Sequence, residues 1–251
     1  MFSIRKKKDK CRIKCLFVQK SLYLGKEKRN TTNRKVKAMS LNNILKQIQD
    51  ELAKKDAIRQ DVQAAMRKCT RLSKTAIFQM HKQQLEDAET TLKEAKGLFG
   101  TLTDLTASYP DLVYMGIVEA AYEEYTEAQI LLSLIKKGRF VDNKEISVPT
   151  PAYVLGLADV VGELRRQTLD YMRKNEVAKA ERNLELMEMV YVELVNLDEA
   201  NVLVRGLRRK CDVARHVLEA TRGDVTIEVR RTHLEDSIES LRKRLEEKRK
   251  G

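Results

Sequence analysis

Between Ser40 and Lys96 the chain contains neither glycine nor proline, so no backbone breaker ends a helix anywhere in that stretch. Within it, apolar residues recur at the helical period: Leu41, Ile44, Leu45, Ile48 and Leu52, then Ile58, Val62, Ala65, Met66, Cys69, Leu72, Ile77 and Met80. Ser40 stands where an N-cap is wanted. The pattern predicts one long first helix. A second helix is expected over 85–105. The group Ser108-Tyr109-Pro110-Asp111 turns the chain, with Pro110 in the first turn of a third helix over 111–136. Lys136, Lys137 and Gly138 end that helix as the dipole and the left-handed C-cap require. Two of the 3 prolines fall in a loop over 139–151. Further helices are expected over 152–173, 177–195, 199–221 and 226–250, with Arg222-Gly223-Asp224 separating the last two. No strand pattern and no internal repeat is found, so the expected class is all-α.

Composition agrees with long solvated helices around an ordinary core, at 42 % hydrophobic and 34 % charged residues in 251. The net charge of +12 invites a nucleic-acid reading, but its placement is uneven. Residues 1–38 hold fourteen Lys or Arg against two acids, which accounts for all of it, so residues 39–251 are neutral as a whole. A nucleic-acid surface on the folded part must therefore be a local patch. Residues 1–38 lack a sustained period and allow two readings. One is a basic tail for RNA or membrane phosphates. The other, preferred because no fold signal begins before Ser40, is a mis-assigned start upstream of Met39, leaving 39–251 as the helical domain. The 4 cysteines, Cys11, Cys15, Cys69 and Cys211, do not form a disulfide framework and fit a reducing compartment. No apolar run approaches the roughly 20 residues of a membrane span, and the expected location is cytoplasmic. Trp is absent, so base stacking would fall to Tyr, Phe or Arg.

The stretch Val154-Leu155-Gly156-Leu157-Ala158-Asp159-Val160-Val161-Gly162-Glu163-Leu164 carries the chemistry. It is apolar nearly all round and should be buried, yet it holds two carboxylates and no other charge. Asp159 and Glu163 share one face at spacing four. Two adjacent buried acids need a compensating cation or proton. Gly156 and Gly162 cost helix propensity, which hints at close packing there. The third helix offers Glu119, Glu123, Glu124 and Glu127; Glu124 and Glu127 share a face. For that group a solvated charged face is the commoner explanation. For Asp159 and Glu163 a site is favoured over a structural pair capped by Arg165 or Arg166. If the two helices pack together, up to four carboxylates converge, an all-oxygen set that suits Mg²⁺ or Mn²⁺ and phosphodiester hydrolysis. A di-iron bundle site needs Glu-x-x-His, and none of His81, His216 or His233 has Glu three residues before it. Phosphate-loop, dinucleotide, zinc-protease and serine-hydrolase motifs are missing as well.

At these residues the sequence resembles the translin family, and within it the translin-associated factor X branch. The resemblance rests on Leu155 to Leu164 after the aromatic Tyr153, and on Glu124-Tyr125-Thr126-Glu127-Ala128. It also rests on Arg67, Thr70, Ser73, Lys74, Ile77, Phe78 and His81 of the first helix. It implies a seven-helix bundle assembling into a hollow, eight-subunit shell that binds single-stranded RNA or DNA inside. In the factor X branch it further implies a Mg²⁺-dependent endoribonuclease whose acids match Glu124, Glu127, Asp159 and Glu163. Glu119 and Glu123 have no assigned role in that pattern. Arg67, Arg71, Lys74, Arg165 and Arg166 are candidate phosphate contacts, with an exposed helix face or partnership with the acids as the equal alternative. Three functions follow as expectations: a metal-dependent endoribonuclease in a homo-oligomeric shell, a single-stranded nucleic-acid holder without turnover, and a structural subunit of a mixed shell.

Overall fold

A computed structural model describes residues 40–197 and 200–250. The first 38 residues, and with them both readings of the basic extension, lie outside the described part. Every regular element among the described residues is helical, as the sequence predicts. Helix α1 runs Leu41–His81, α2 Leu85–Thr106, α3 Gly116–Lys137, α5 Thr150–Arg173, α6 Val177–Val195 and α8 Leu207–Lys250. Two one-turn helices, α4 at Asn143–Ile146 and α7 at Ala200–Leu203, sit in connections.

Two compact units divide the chain between Ile48 and Gln49. Of the first, the described part is the opening of α1, where the Asn43 N–H donates to Ser40 Oγ at 3.4 Å. Its apolar residues Leu41, Ile44, Leu45 and Ile48 are all exposed. In the second unit α1 buries one face, through Val62, Met66, Cys69, Ser73, Ala76, Ile77 and Met80. Apart from the adjacent Ala76 and Ile77, those positions are separated by threes and fours, the spacing that keeps one helical stripe against a core. Helix α5 is the central element, packed against α3, α6 and α8; α2 lies against α3.

The sequence boundaries are corrected at three places, one of them the helix expected over 199–221, which is interrupted after Leu203 and resumes at Leu207 past Gly206 at φ 92°. Pro110 begins a 3₁₀ turn, Pro110–Tyr114, and α3 starts only at Gly116. Met115 is extended between the two elements, and this places the acids of α3 in its first three turns. The last correction concerns Arg222-Gly223-Asp224, which does not end a helix; α8 runs straight through it. A helical glycine costs only about 1 kcal/mol. Burial of Leu218, Thr221 and Val225 on the inward face of the same turns outweighs that. Gly138, by contrast, caps α3 at φ 65° as its sequence position predicts. Among the described residues no helix is long and apolar enough to cross a membrane.

Candidate functional site

Gly156 decides how closely α3 and α5 approach. A β-carbon there would stand 2.7 Å from the Glu123 carbonyl oxygen and 2.7 Å from Thr126 Cβ, distances no side chain tolerates. Thr126 is fully buried at this contact, and its hydroxyl is the one buried side-chain polar atom among the described residues without a hydrogen-bond partner. Gly162, expected to pack in the same way, has open space around it and is exposed. The close approach at Gly156 sets Glu123, Glu124 and Glu127 of α3 opposite Asp159 and Glu163 of α5.

These carboxylates are half-buried in the groove between α3 and α5 rather than fully solvated. The side chains of Glu123, Glu124 and Glu163 are only 21 %, 26 % and 22 % exposed. A solvated charged face on α3 is therefore overturned for these residues, and holds only for the exposed Glu119. The partners of the acids come from other helices. Lys210 Nζ of α8 lies 2.5 Å from Asp159 Oδ2 and 2.8 Å from Glu123 Oε2, and approaches the Leu155 carbonyl oxygen at 3.5 Å. The nearly buried His81 of α1 is hydrogen-bonded through Nε2 to Glu163 Oε2 at 2.5 Å. Lys74 of α1 pairs with Glu124 at 3.0 Å. Arg166 reaches Glu163 only at 4.0 Å, and Arg165 turns away to Thr221 at 2.8 Å and Asp224 at 3.1 Å. The alternative of a structural acid pair capped by Arg165 or Arg166 is thus replaced by Lys210 and His81.

Glu127 sits at the centre of the group, and among the described residues no cation pairs with it. Burial, followed by the charges of Asp159, Glu163 and Glu124, pushes its carboxyl up to about 8, with Lys210 opposing. Asp159 is raised too: burial outweighs its hydrogen bond to Lys210, whose charge is shared with Glu123. On Lys210 itself burial is the largest influence, but the two carboxylates together overcome it and the ammonium is held above its ordinary value. Glu127 therefore holds its proton near neutral pH, where burial and the neighbouring carboxylates disfavour one more negative charge.

The donor chemistry fits a hard divalent cation: all-oxygen, multiply anionic, with one central carboxyl lacking a partner. As the side chains stand, no three His, Cys, Asp or Glu among the described residues already form a ligand cage. Asp159 is turned to Lys210, Glu163 to His81 and Glu124 to Lys74, so ligation requires these pairs to give way.

Of the predicted phosphate contacts, Arg67, Arg71 and Lys74 lie on one exposed face of α1. Spacings of four and three bring that face to the groove through the Lys74–Glu124 pair. Phe78, 49 % exposed, continues the same face, with Lys82 Nζ 4.3 Å from its ring centroid. Sequence reasoning missed Lys210, which stands among Arg208, Arg209 and Lys210. The available signal was helical phase: position 210 is three after buried Leu207 and four before buried Ala214, so it alone of the three flanks the inward stripe.

Comparison with known proteins places this geometry in context. The model of the family described as Translin family matches residues 56–220. An uncharacterised protein of Methanocaldococcus jannaschii is 33 % identical over 192 residues, 76 % of this chain and 85 % of that protein. A crystal structure of AfC3PO superposes with a TM-score of 0.66 at 32 % identity, over 73 % of this chain and 96 % of that one. A structure of AfC3PO in complex with duplex RNA gives 0.65 at 31 %, over 73 % and 95 %. A crystal structure of apo-NeC3PO gives 0.67 over 76 % and 99 %; at 24 % identity it speaks for the fold alone.

Proposed function

The chain belongs to the translin family, and on that premise we propose that it is a Mg²⁺-dependent endoribonuclease acting on single-stranded RNA inside a shell built from copies of itself. Its acids match the translin-associated factor X branch. One observation carries the reading. Two helices held together at a residue that admits no β-carbon set Glu124 and Glu127 opposite Asp159 and Glu163, and among the described residues no cation pairs with Glu127. A divalent ion, Mg²⁺ or Mn²⁺, supplies when bound the acidification of water and the stabilisation of charge on phosphodiester oxygens. Glu124, Glu127, Asp159 and Glu163 hold it. His81 fixes the orientation of Glu163 through its 2.5 Å hydrogen bond. Arg67, Arg71 and Lys74 track the phosphates along α1 toward the groove and Arg166 stands beside it on α5, while Arg165, engaged by Thr221 and Asp224, is left out of that path. RNA is favoured as ligand because one structural relative is in complex with duplex RNA; single-stranded DNA is a further ligand of the same surface.

A second reading, a nucleic-acid holder without turnover, is favoured by one specific feature. Asp159, Glu163 and Glu124 each already have an internal partner. Incubation of end-labelled single-stranded and duplex RNA with the protein in Mg²⁺, Mn²⁺ or EDTA separates the two. Cleavage of the single strand in Mg²⁺ or Mn²⁺ only, abolished by Glu127→Gln, is the expected result. Bound but intact RNA in every condition would leave the holder.

A further inference from the structure

Lys210 is an unusual occupant for a groove of this kind. Its ammonium lies within hydrogen-bond distance of carboxylates from two different helices, Glu123 of α3 and Asp159 of α5. It is only 25 % exposed. Asp159 belongs to the ligand set of the proposed metal, whereas Glu123 does not. The ammonium and a divalent ion therefore compete for one oxygen, Asp159 Oδ2, and repel one another across the few ångströms of the groove. Space to move exists on the α8 side. A cavity of about 340 Å³ lies between α5 and α8 beside Asp159 and Lys210, walled by Ala158, Val161, Val213 and Ala214. The second contact, to Glu123, is short enough to keep the ammonium in place when the first is given up.

Resting on the metal-dependent reading above, we propose that Lys210 is a tethered cation that occupies the acidic groove in the metal-free protein and must leave Asp159 for a divalent ion to bind. Glu123 is the dock that retains the displaced ammonium. Glu123, which the family pattern leaves without a role, acts through Lys210 and not on the metal. The lysine sets the concentration of divalent ion at which the site fills. It also keeps Asp159 and Glu123 paired while the site is empty of metal.

Mn²⁺ binding to the full-length protein without RNA, followed by the electron paramagnetic resonance of the free ion, tests this without reading activity. Lys210→Met binds Mn²⁺ about tenfold tighter than wild type, as loss of a unit charge a few ångströms away requires. Its melting temperature in EDTA falls, and Mn²⁺ raises it by more than in wild type. Glu123→Gln binds Mn²⁺ more weakly than wild type, and the loss is clearly smaller in the Lys210→Met background, because most of its effect runs through the lysine. Equal or weaker binding by Lys210→Met, with wild type binding, overturns this inference alone. Equal weakening by Glu123→Gln in both backgrounds makes Glu123 a ligand and overturns its role as dock. Absence of Mn²⁺ binding by both wild type and Lys210→Met overturns the metal reading of the site itself, and this inference with it. If Lys210→Met does not fold, acylation of wild-type lysines mapped by mass spectrometry decides. Lys210 labelling rises when Mn²⁺ is added if the ammonium is displaced from Asp159; unchanged or reduced labelling overturns the proposal.

Discussion

Glu127 concentrates the electrostatics of the groove in one side chain. Its carboxyl is held up at about 8 by burial first and by neighbouring carboxylates second, against an ordinary value of 4.5. The folded protein therefore keeps a proton that the unfolded chain has released, and the stability this provides is complete below about 4.5. It is lost as pH rises through about 8. Thermal melts in EDTA between pH 5 and 9 should show wild type losing stability across that interval relative to Glu127→Gln, which stays flatter; parallel curves would contradict it. Cys69 makes a simpler case. It is fully buried, and burial pushes its thiol up to about 12, so iodoacetamide at neutral pH should leave its peptide unlabelled. Asp159 and Glu163 were legible in the sequence because two acids in an apolar helix stand out against their surroundings. Lys210 and His81 were not, since each comes from a distant segment and neither is unusual among its immediate neighbours. Only the fold reveals that their side chains meet those acids.

Helix α5 owes its position to a missing side chain. Gly156→Ala forces a methyl group against the Glu123 carbonyl and Thr126 and should cost about 1–3 kcal/mol by overpacking. Ribonuclease activity should fall further than stability alone requires, because the two acidic pairs are spread apart. Gly223 is the opposite case, with open space around it in the middle of α8. Gly223→Ala should stabilise the protein by about 0.5–1 kcal/mol, read as a rise in melting temperature of a few degrees. That glycine misled the sequence reading because a breaker signal gives only a local cost, whereas helix continuation was decided by burial several residues away on either side. On α1, Arg67, Arg71, Lys74 and Phe78 line one exposed face, with Lys82 just beyond its end. Phe78→Ala should weaken single-stranded RNA binding by about 1–3 kcal/mol if a base stacks on the ring. Arg67→Ala should instead reduce the salt dependence of binding by about one phosphate contact. Identical salt slopes for wild type and Arg67→Ala would remove that face from the RNA path.

At the scale of the whole molecule, the long helices and their all-α class were evident from periodicity and the scarcity of breakers. What covers the ends of those helices was not, because a single chain does not contain the answer. From His233 to Arg249 every residue of α8 is exposed, including Leu234, Ile238, Leu241 and Leu245 at spacings of four, three and four. This is a seam suited to another helix. The homo-oligomeric reading predicts that Ile238→Asp with Leu241→Asp lowers the native mass, measured by light scattering, while leaving the helical content unchanged. The central claim is that the facing acids of α3 and α5 cut RNA that the assembled protein holds, and it is tested most directly by separating holding from cutting. End-labelled RNA is bound in EDTA to wild type and to Asp159→Asn, and Mg²⁺ is then added in excess. The account predicts equal binding before the addition, cleavage of the bound strand by wild type, and intact RNA on the variant. Cleavage by both proteins, or intact RNA on both, would contradict it.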